Sequence, residues 1–551
     1  MNRNEERTGP DGQDFDAIVV GAGFGGLYGV YRLRAQGLRV LGIEAGGGVG
    51  GVWYHNRYPG ARVDVESYDY CYYFSEDLYR EWVWTEKYAT QPELLRYLDH
   101  VADRFDLRRH YLFDTRVTGA RWTPEQARYQ VTTSTGRALT CRFLVMATGQ
   151  LSAARRPPFE GLERFKGEWV ETQHWPHREV KLQGRRIGVV GTGSSGVQAI
   201  PVLAQAAEHL YVFQRTPKFS VPAHNGPIEG TIWSTTKRDV AGERAKLFDN
   251  PGAGHMARPQ GPASDFTPEQ QRQILDEYWA LGGQHFQAVF ADQGSNKASN
   301  DVIANYVRDR IRSVVKDPRL AEKLCPDDHP FGTRRLIVDT GYYATFNRDN
   351  VTLVDVRAQP ITRITETGIE IADGSHYACD LIVFALGFDA FTGSLYGADI
   401  RNERGERISD RWRRGPRTLL GLTTTGFPNL FLPTGPGSPS LIANLVVQNE
   451  FHIDWIADCI AWMDTHGYAS IEPTAAAEVE WTAHVAEVAK NLLRLHVKNY
   501  MVHVNEDGSR VYLPYAGGMD RYAKRARAIA AGGYREFRFS TAEQLRANRT
   551  A

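Results

Sequence analysis

Two glycine-rich turns carry the first chemistry legible in the chain. Gly21, Gly23 and Gly26 stand as G-x-G-x-x-G in "IVVGAGFGGL", and Glu44 follows 23 residues after Gly21. Gly191, Gly193 and Gly196 repeat the spacing in "GVVGTGSSGV", around Ser194 and Ser195, and Arg215 follows 24 residues after Gly191. In such a turn the first glycine allows the tight bend. The second lets a phosphate reach the backbone, and the third lets the next helix pack on the strand. The helix start then offers free N–H groups and a positive dipole end to a pyrophosphate. A carboxylate about twenty residues on accepts ribose hydroxyls. An arginine at that place suits a 2′-phosphate, an ordinary surface arginine being the alternative. Two different dinucleotides are therefore expected, FAD and NADPH being the economical pair. The chemistry would be hydride transfer from nicotinamide to flavin.

The electrons must then go somewhere. The five cysteines, Cys71, Cys141, Cys325, Cys379 and Cys459, are far apart in sequence, with neither a redox C-x-x-C nor a zinc set. No metal site is expected. Oxygen is the remaining common acceptor, so the chain leans toward a monooxygenase. The alternative of another class is an NADPH-dependent flavoprotein reductase that feeds a partner protein, for which no cysteine pair or acidic docking patch speaks.

These residues need elements to hold them. Apolar runs Ala17–Val20 and Ile187–Val190 read as buried parallel strands, each feeding its glycine turn and a helix. Second strands are expected over Arg39–Ile43 and Leu210–Phe213. "CRFLVMATGQ" and "CDLIVFALGFD" each read as a strand ending in A-x-G, where a glycine lets backbone approach closely. The fold expected is α/β, with two Rossmann-like dinucleotide-binding domains and a mostly helical insertion. The FAD domain is placed at 1–152 and 388–551, the NADP domain at 153–224 and 330–387, and the insertion at 225–329. Within the insertion, Thr267 and Gln270 mark a capping box ahead of "PEQQRQILDEYWAL", and Thr90 and Glu93 suggest another ahead of an earlier helix. "NPGAGHMARPQGPASD" reads as a loop. A Gly/Pro turn at Gly435–Ser440 opens a long apolar helix, whose start faces the flavin, lies in the core, or does both.

With 551 residues, 42% hydrophobic and 24% charged, the chain can bury two or three domain cores. Lys+Arg and Asp+Glu each total 65, which speaks against general binding of nucleic acid or a membrane surface. No apolar run reaches the roughly 18 residues of a membrane span. "MNRNEERTGPDGQDF" lacks the apolar core of a signal peptide and reads as a short disordered leader. A cytoplasmic location with reduced thiols is expected.

Three further stretches carry a resemblance. "GGVWYHNRYPGARVDVESYDY" holds Gly51, Trp53, Tyr58, Pro59, Gly60 and Asp64; "FKGEWVETQHWPH" holds Phe165, Gly167, Trp175 and Pro176; "HPFGTRRLIVDTGYYATFNRDNV" holds Arg334 and Arg335. With the glycine turns, they resemble the type I Baeyer–Villiger monooxygenases over nearly the whole chain. The resemblance implies that NADPH reduces FAD and oxygen adds to give a C4a-peroxyflavin. This attacks a hydrophobic ketone to yield an ester or lactone. A heteroatom (S/N) monooxygenase is the nearest alternative. Carried over residue by residue, Arg335 is the active-site cation and Asp64 its partner. Glu44, Gly51, Trp53, Asp64, Tyr70 and Val117 contact FAD, and Gln150 and Trp175 border the nicotinamide region or its linker. Arg215, Thr216 and Arg334 clamp the 2′-phosphate. Leu441, Ile442 and Leu445 form an apolar wall beside the substrate. The partners implied are a small ketone and oxygen, with no obligate protein partner.

Two departures stand out. Glu171 occupies the place of the histidine in the family fingerprint F-x-G-x-x-x-H-x-x-x-W-P. A hydrogen-bonding hinge between the domains is the expected role of this linker, and an exposed loop acid is the bland alternative. Asn499 is placed where relatives often have tryptophan, and the family's G-x-N-x-x-G-K run is missing near it.

Overall fold

The computed structural model describes residues 13–228 and 231–547. The leader lies outside them except for Gln13 to Phe15, which already belong to the first strand. That strand, Gln13–Val20, is apolar and buried over Ala17–Val20. It pairs in parallel with Val40–Ile43 and with Ala138–Val145. The sheet runs in the order Asp399–Arg401, Val117–Thr123, Arg128–Thr133, Ala138–Val145, Gln13–Val20, Val40–Ile43 and Tyr111–Leu112. Ala138–Val145 changes partner along its length. Leu139 to Cys141 face the antiparallel Arg128–Thr133, whereas Leu144 and Val145 pair with Leu430–Phe431 from the C-terminal third. One long strand thus joins the N-terminal sheet to the C-terminal third.

The second sheet is parallel, in the order Val351–Asp355, His209–Gln214, Arg186–Val190, Leu381–Phe384 and Glu168–Glu171. Its last strand is a finding about the fingerprint stretch. Glu168–Glu171 pairs with Leu381–Phe384 as an edge strand, and only the residues after it make the crossing. An edge strand tolerates the polar and aromatic mix that a central strand would not; Trp169 stays 40% exposed there.

The two A-x-G segments close symmetrically on the two glycine turns. Gly21 has φ +112°, and a Cβ on it would lie 2.4 Å from the Ala147 carbonyl oxygen. Gly191 has φ +110°, with the Ala385 carbonyl oxygen 2.5 Å from such a Cβ. Only glycine fits either place.

The region 225–329 is helical, but it does not pack as a separate body. Val240, Leu247, Phe248 and Ala253 join the apolar core of the first sheet. Phe286, Ile303, Val307 and Ile311 join the core of the second. The capping box forms at Thr267 and Gln270 on helix Pro268–Leu281. It does not form at Thr90. Glu93 turns away and accepts from the Thr85 N–H and hydroxyl instead, at 2.8 and 2.9 Å. A buried tertiary partner outcompetes the local cap. The long apolar helix begins at Leu445, five residues after the predicted turn, because Asn444 caps it by accepting from the N–H of Val446. Among the described residues, no helix is long and apolar enough to cross a membrane.

Candidate functional site

A cavity of about 350 Å³ opens along the first glycine turn. Gly21, Gly23, Glu44, Gly51, Trp53, Tyr70, Val117, Gln150, Leu441 and Leu445 all line it. Gly26 does not. It sits behind the turn, where a Cβ would come within 1.8 Å of the Gly21 carbonyl oxygen. Its role is to bring the helix Phe24–Ala35 against the strand, as the spacing predicts. Gly51 approaches Gly23 so closely that a Cβ on it would lie 2.9 Å from the Gly23 Cα, so two glycine loops meet at backbone distance. Glu44 is buried and accepts from the N–H groups of Ala22 and Gly46, both at 2.7 Å. Burial pushes its carboxyl up, and these N–H groups oppose the shift. A carboxylate has more lone pairs than these two bonds use, so it can still accept ribose hydroxyls. Leu445, Val446 and Asn449 also line the cavity, so the long helix is both a core helix and one whose start faces the ligand space. The glycine cradle, the acid and the cavity between them fit FAD.

The second turn is built alike: a Cβ on Gly196 would lie 2.2 Å from the Gly191 carbonyl oxygen. Helix Ser194–Ala206 starts there, with Ser194 and Ser195 in its first turn. Arg215 and Thr216 follow strand His209–Gln214 directly. Arg334 donates to Asp328 at 3.3 Å, while its Nη1 is buried and unpartnered among the described residues. Lys218, which sequence reasoning passed over, belongs to this group. Burial, and then the like charge of Arg334, push its ammonium down to about 7. Burial also holds His329 down at about 4, so it adds no charge near neutrality. Three cations against Asp328 make a cradle short of negative charge, which fits the 2′-phosphate of NADP. The signal was present in sequence, since Lys218 lies only two residues beyond Thr216.

Arg335 bridges the two halves. Its Nε and Nη2 donate to the two oxygens of Asp64, both at 2.7 Å, across 271 residues of chain. Its Nη1 donates to the Leu441 carbonyl at 3.1 Å. Burial works against the guanidinium charge, but Asp64 outweighs it and holds the proton more tightly than usual. Asp64 is placed by a loop docked on the other domain: Tyr58 donates to Gln198 at 2.8 Å, and Gly60 lies against the Gln198 carbonyl. Arg335 and Asp64 lie beside the cavity through Leu441 and Tyr70 rather than lining it. Trp53 donates to the Tyr70 hydroxyl at 3.3 Å, and burial pushes that phenol up to about 12. Ile442 does not line the cavity. It packs with a C-terminal cluster around Met501 and Tyr512.

The C-terminal expectation shifts by one residue. Asn499 spends its side chain on its own loop, donating to the carbonyls of Arg494 and Val497 and accepting from the N–H of Met501. Its neighbour Tyr500 is the residue that feels the site. It is half-buried, its phenol is pushed up by burial, and Arg335 and Asp64 both act on it.

The fingerprint residues also find places. Phe165 is buried against the second sheet, and Gly167 leaves room for it and for the Asp380 carbonyl. Trp175 shares an apolar cluster with Tyr58 and Ala61 of the docked loop, so it wedges the two halves together. Glu171 is 5% exposed, which rules out an exposed loop acid. Its Oε2 accepts from Arg156 at 3.0 Å, and its Oε1 is buried with no partner among the described residues. Next to it, Gln173 donates to the Gly387 carbonyl at 2.7 Å, tying the outward and return crossings.

Residues 15–239 match the family model of pyridine nucleotide-disulphide oxidoreductases. The disulphide of that name has no counterpart here, since all five cysteines are buried and unpaired. The chain is 41% identical over 95% of its length, and 98% of the relative's, to a 2-oxo-Δ3-4,5,5-trimethylcyclopentenylacetyl-CoA monooxygenase of Pseudomonas putida. It is 38% identical to a Baeyer–Villiger monooxygenase of Pseudooceanicola batsensis, over 99% and 100% of the two chains. Among solved structures, an oxidised steroid monooxygenase bound to NADP superposes with a TM-score of 0.92 at 47% identity. It covers 96% of this chain and 100% of its own.

Proposed function

This chain belongs to the Baeyer–Villiger monooxygenases, and from that premise we propose that Arg335 and Asp64 form its oxygenation centre. Leu441 and Leu445 are the wall against which a hydrophobic ketone lies. The protein is an NADPH-dependent FAD monooxygenase. The observation that carries the site assignment is the bidentate Arg335–Asp64 pair, whose remaining edge reaches the Leu441 carbonyl at the cavity wall.

Bound FAD supplies hydride acceptance from NADPH and the activation of oxygen. The chain's own residues do the rest. The Gly21–Gly26 turn and Glu44 hold the flavin nucleotide; Arg215, Thr216 and Arg334 hold the 2′-phosphate. A ketone gathers negative charge on its oxygen as the carbonyl is attacked. A fixed cation beside it lowers the barrier without reorganising. Asp64 keeps the guanidinium charged and oriented, and the leucines keep water out. The FAD and NADP boundaries given above fit this reading, since two apolar cores flank the crossings near Gln150 and Gly387, whereas 225–329 divides between those cores. The five buried thiols suit a cytoplasmic location.

The test is product analysis with NADPH, oxygen and a panel of cyclic and linear ketones beside a thioether. Ester or lactone formed in step with NADPH consumed is expected. Sulfoxide alone, with no ester from any ketone, would sink the reading.

Glu171 is a hinge residue in this scheme, holding Arg156 on the outward crossing. Its partner is 76% exposed, so the pair contributes no more than about 1 kcal/mol. Glu171→Ala is expected to lower product formed per NADPH by roughly two- to fivefold, in line with that ceiling. Glu171→His should recover part of it. Complete loss of oxygenation in both variants, with flavin reduction intact, would point to direct chemistry instead.

A further inference from the structure

The loop that gives Leu441 to the cavity is built around a strained residue. Ser440 is fully buried, and its φ is +54°, a left-handed value that disfavours any side chain. Something must hold it there. Gln448, fully buried one turn into helix Leu445–Thr465, does so through both ends of its amide. Its Oε1 accepts from the Ser440 N–H at 2.8 Å and from the Ser438 hydroxyl at 3.1 Å. Its Nε2 donates to the Ser440 carbonyl at 3.3 Å. The side-chain amide thus grips the backbone N–H and C=O of one residue, as a neighbouring strand would. Gln150, on the crossing, donates to the Ser440 hydroxyl and the Thr434 carbonyl. The other end of the loop is tied down separately, where Asn444 donates its N–H to Gly252 and its side chain to the Asp69 carbonyl.

The residue after Ser440 is the one that matters for chemistry. Leu441 turns its carbonyl to Arg335 and its side chain to the cavity. The Ser440 dihedral angles aim the rigid peptide unit that enters Leu441, and so set the frame from which Leu441 presents both groups. If Ser440 relaxed to the common right-handed or extended region, the Leu441 carbonyl would swing off Arg335. The pocket wall would move with it.

We propose that Gln448 is a positioning residue that sets substrate specificity by clamping Ser440 in its left-handed conformation, so that Leu441 meets Arg335 with its carbonyl and the ketone with its side chain. Gln448 itself does not line the cavity. The proposal rests on the oxygenation-centre reading given above.

The test compares Gln448→Leu, Gln448→Glu and the double variant Gln448→Leu/Ser440→Gly as FAD-loaded enzymes. The readout is the ratio of kcat/KM for a small cyclic ketone to that for a bulky one. Gln448→Leu is expected to change the ratio at least fivefold. Gln448→Glu, which keeps the acceptor and loses the donor, should fall between it and the wild type. Glycine adopts the left-handed region without the clamp, so the double variant should return toward the wild-type ratio. A merely structural role would lower Tm and slow both ketones alike. An unchanged ratio, or a double variant no better than Gln448→Leu, would overturn the proposal. A crystal structure of Gln448→Leu decides independently of turnover. Ser440 leaving positive φ and Arg335 losing the Leu441 carbonyl support it; retention of both refutes it. If the wild type oxygenates no ketone, the oxygenation-centre reading fails, and the crystal structure still judges the clamp.

Discussion

Replacing Arg335 with alanine is expected to lower ester or lactone formation by about 100- to 1,000-fold, the cost of removing one preorganised charge-stabilising donor. NADPH should still reduce the flavin, and oxygen should still be consumed with release of hydrogen peroxide. The separation arises because Arg335 lies beside the cavity rather than in the two glycine turns proposed to hold the nucleotides. Arg335→Lys keeps a charge but not the geometry. One ammonium cannot span both Asp64 oxygens and still reach the Leu441 carbonyl, as the planar fork does. It should recover only a small part of the loss. Asp64→Ala should resemble Arg335→Ala in product but be less stable to heat, because it leaves a largely buried guanidinium without its counter-charge. The measurement is rapid-mixing reduction by NADPH without oxygen, set beside product yield with oxygen. Equal loss of both in Arg335→Ala would mean that the residue serves cofactor binding, and the assignment to oxygenation would fall.

The elements that could be read from sequence were those whose causes are local. A buried parallel strand, a glycine turn and a helix start lie within a few residues of one another. Gly21 to Gly26 and Gly191 to Gly196 therefore announce their geometry directly. Arg335 and Asp64 are 271 residues apart, and neither "TRR" nor "RVDVE" says that they meet; only resemblance to a family joined them. Local reasoning also failed where a tertiary partner won. Glu93 left its predicted cap for Thr85. Asn499 stands out as a departure, but its side chain closes its own turn, and it is Tyr500 whose phenol feels the charge of Arg335. Gln448 is one of several polar residues on its helix, and its partner Ser440 betrays nothing until its φ is known. Glu171 could be recognised as unusual but not as buried, because the edge strand that buries it is set by pairing with Leu381–Phe384.

The cation cradle beyond the second turn leads to the other large effect. A charged hydrogen bond to a phosphate contributes about 1.5–3 kcal/mol, so Arg215→Ala is expected to raise the KM for NADPH by about tenfold to 100-fold. Arg334→Ala should do the same, since its buried Nη1 has no partner among the described residues to lose. Neither change should alter the KM for NADH, which lacks the 2′-phosphate, so the preference between the nucleotides collapses rather than the activity. Lys218 adds a pH signature. Without nucleotide, burial and Arg334 hold its ammonium at about 7. An arriving phosphate favours the charged form, so binding raises that value, and the affinity this lysine contributes is full below about 7 and declines as pH rises past it. The phosphate itself becomes a dianion only above about 6, so NADPH affinity should peak near neutrality. NADH affinity should show no such decline, and Lys218→Met should remove it for NADPH. The KM of each nucleotide measured from pH 6 to 9 checks all three statements. A slope that survives in Lys218→Met would place the titrating group elsewhere, and an unchanged NADPH preference in Arg215→Ala would return that arginine to the ordinary surface.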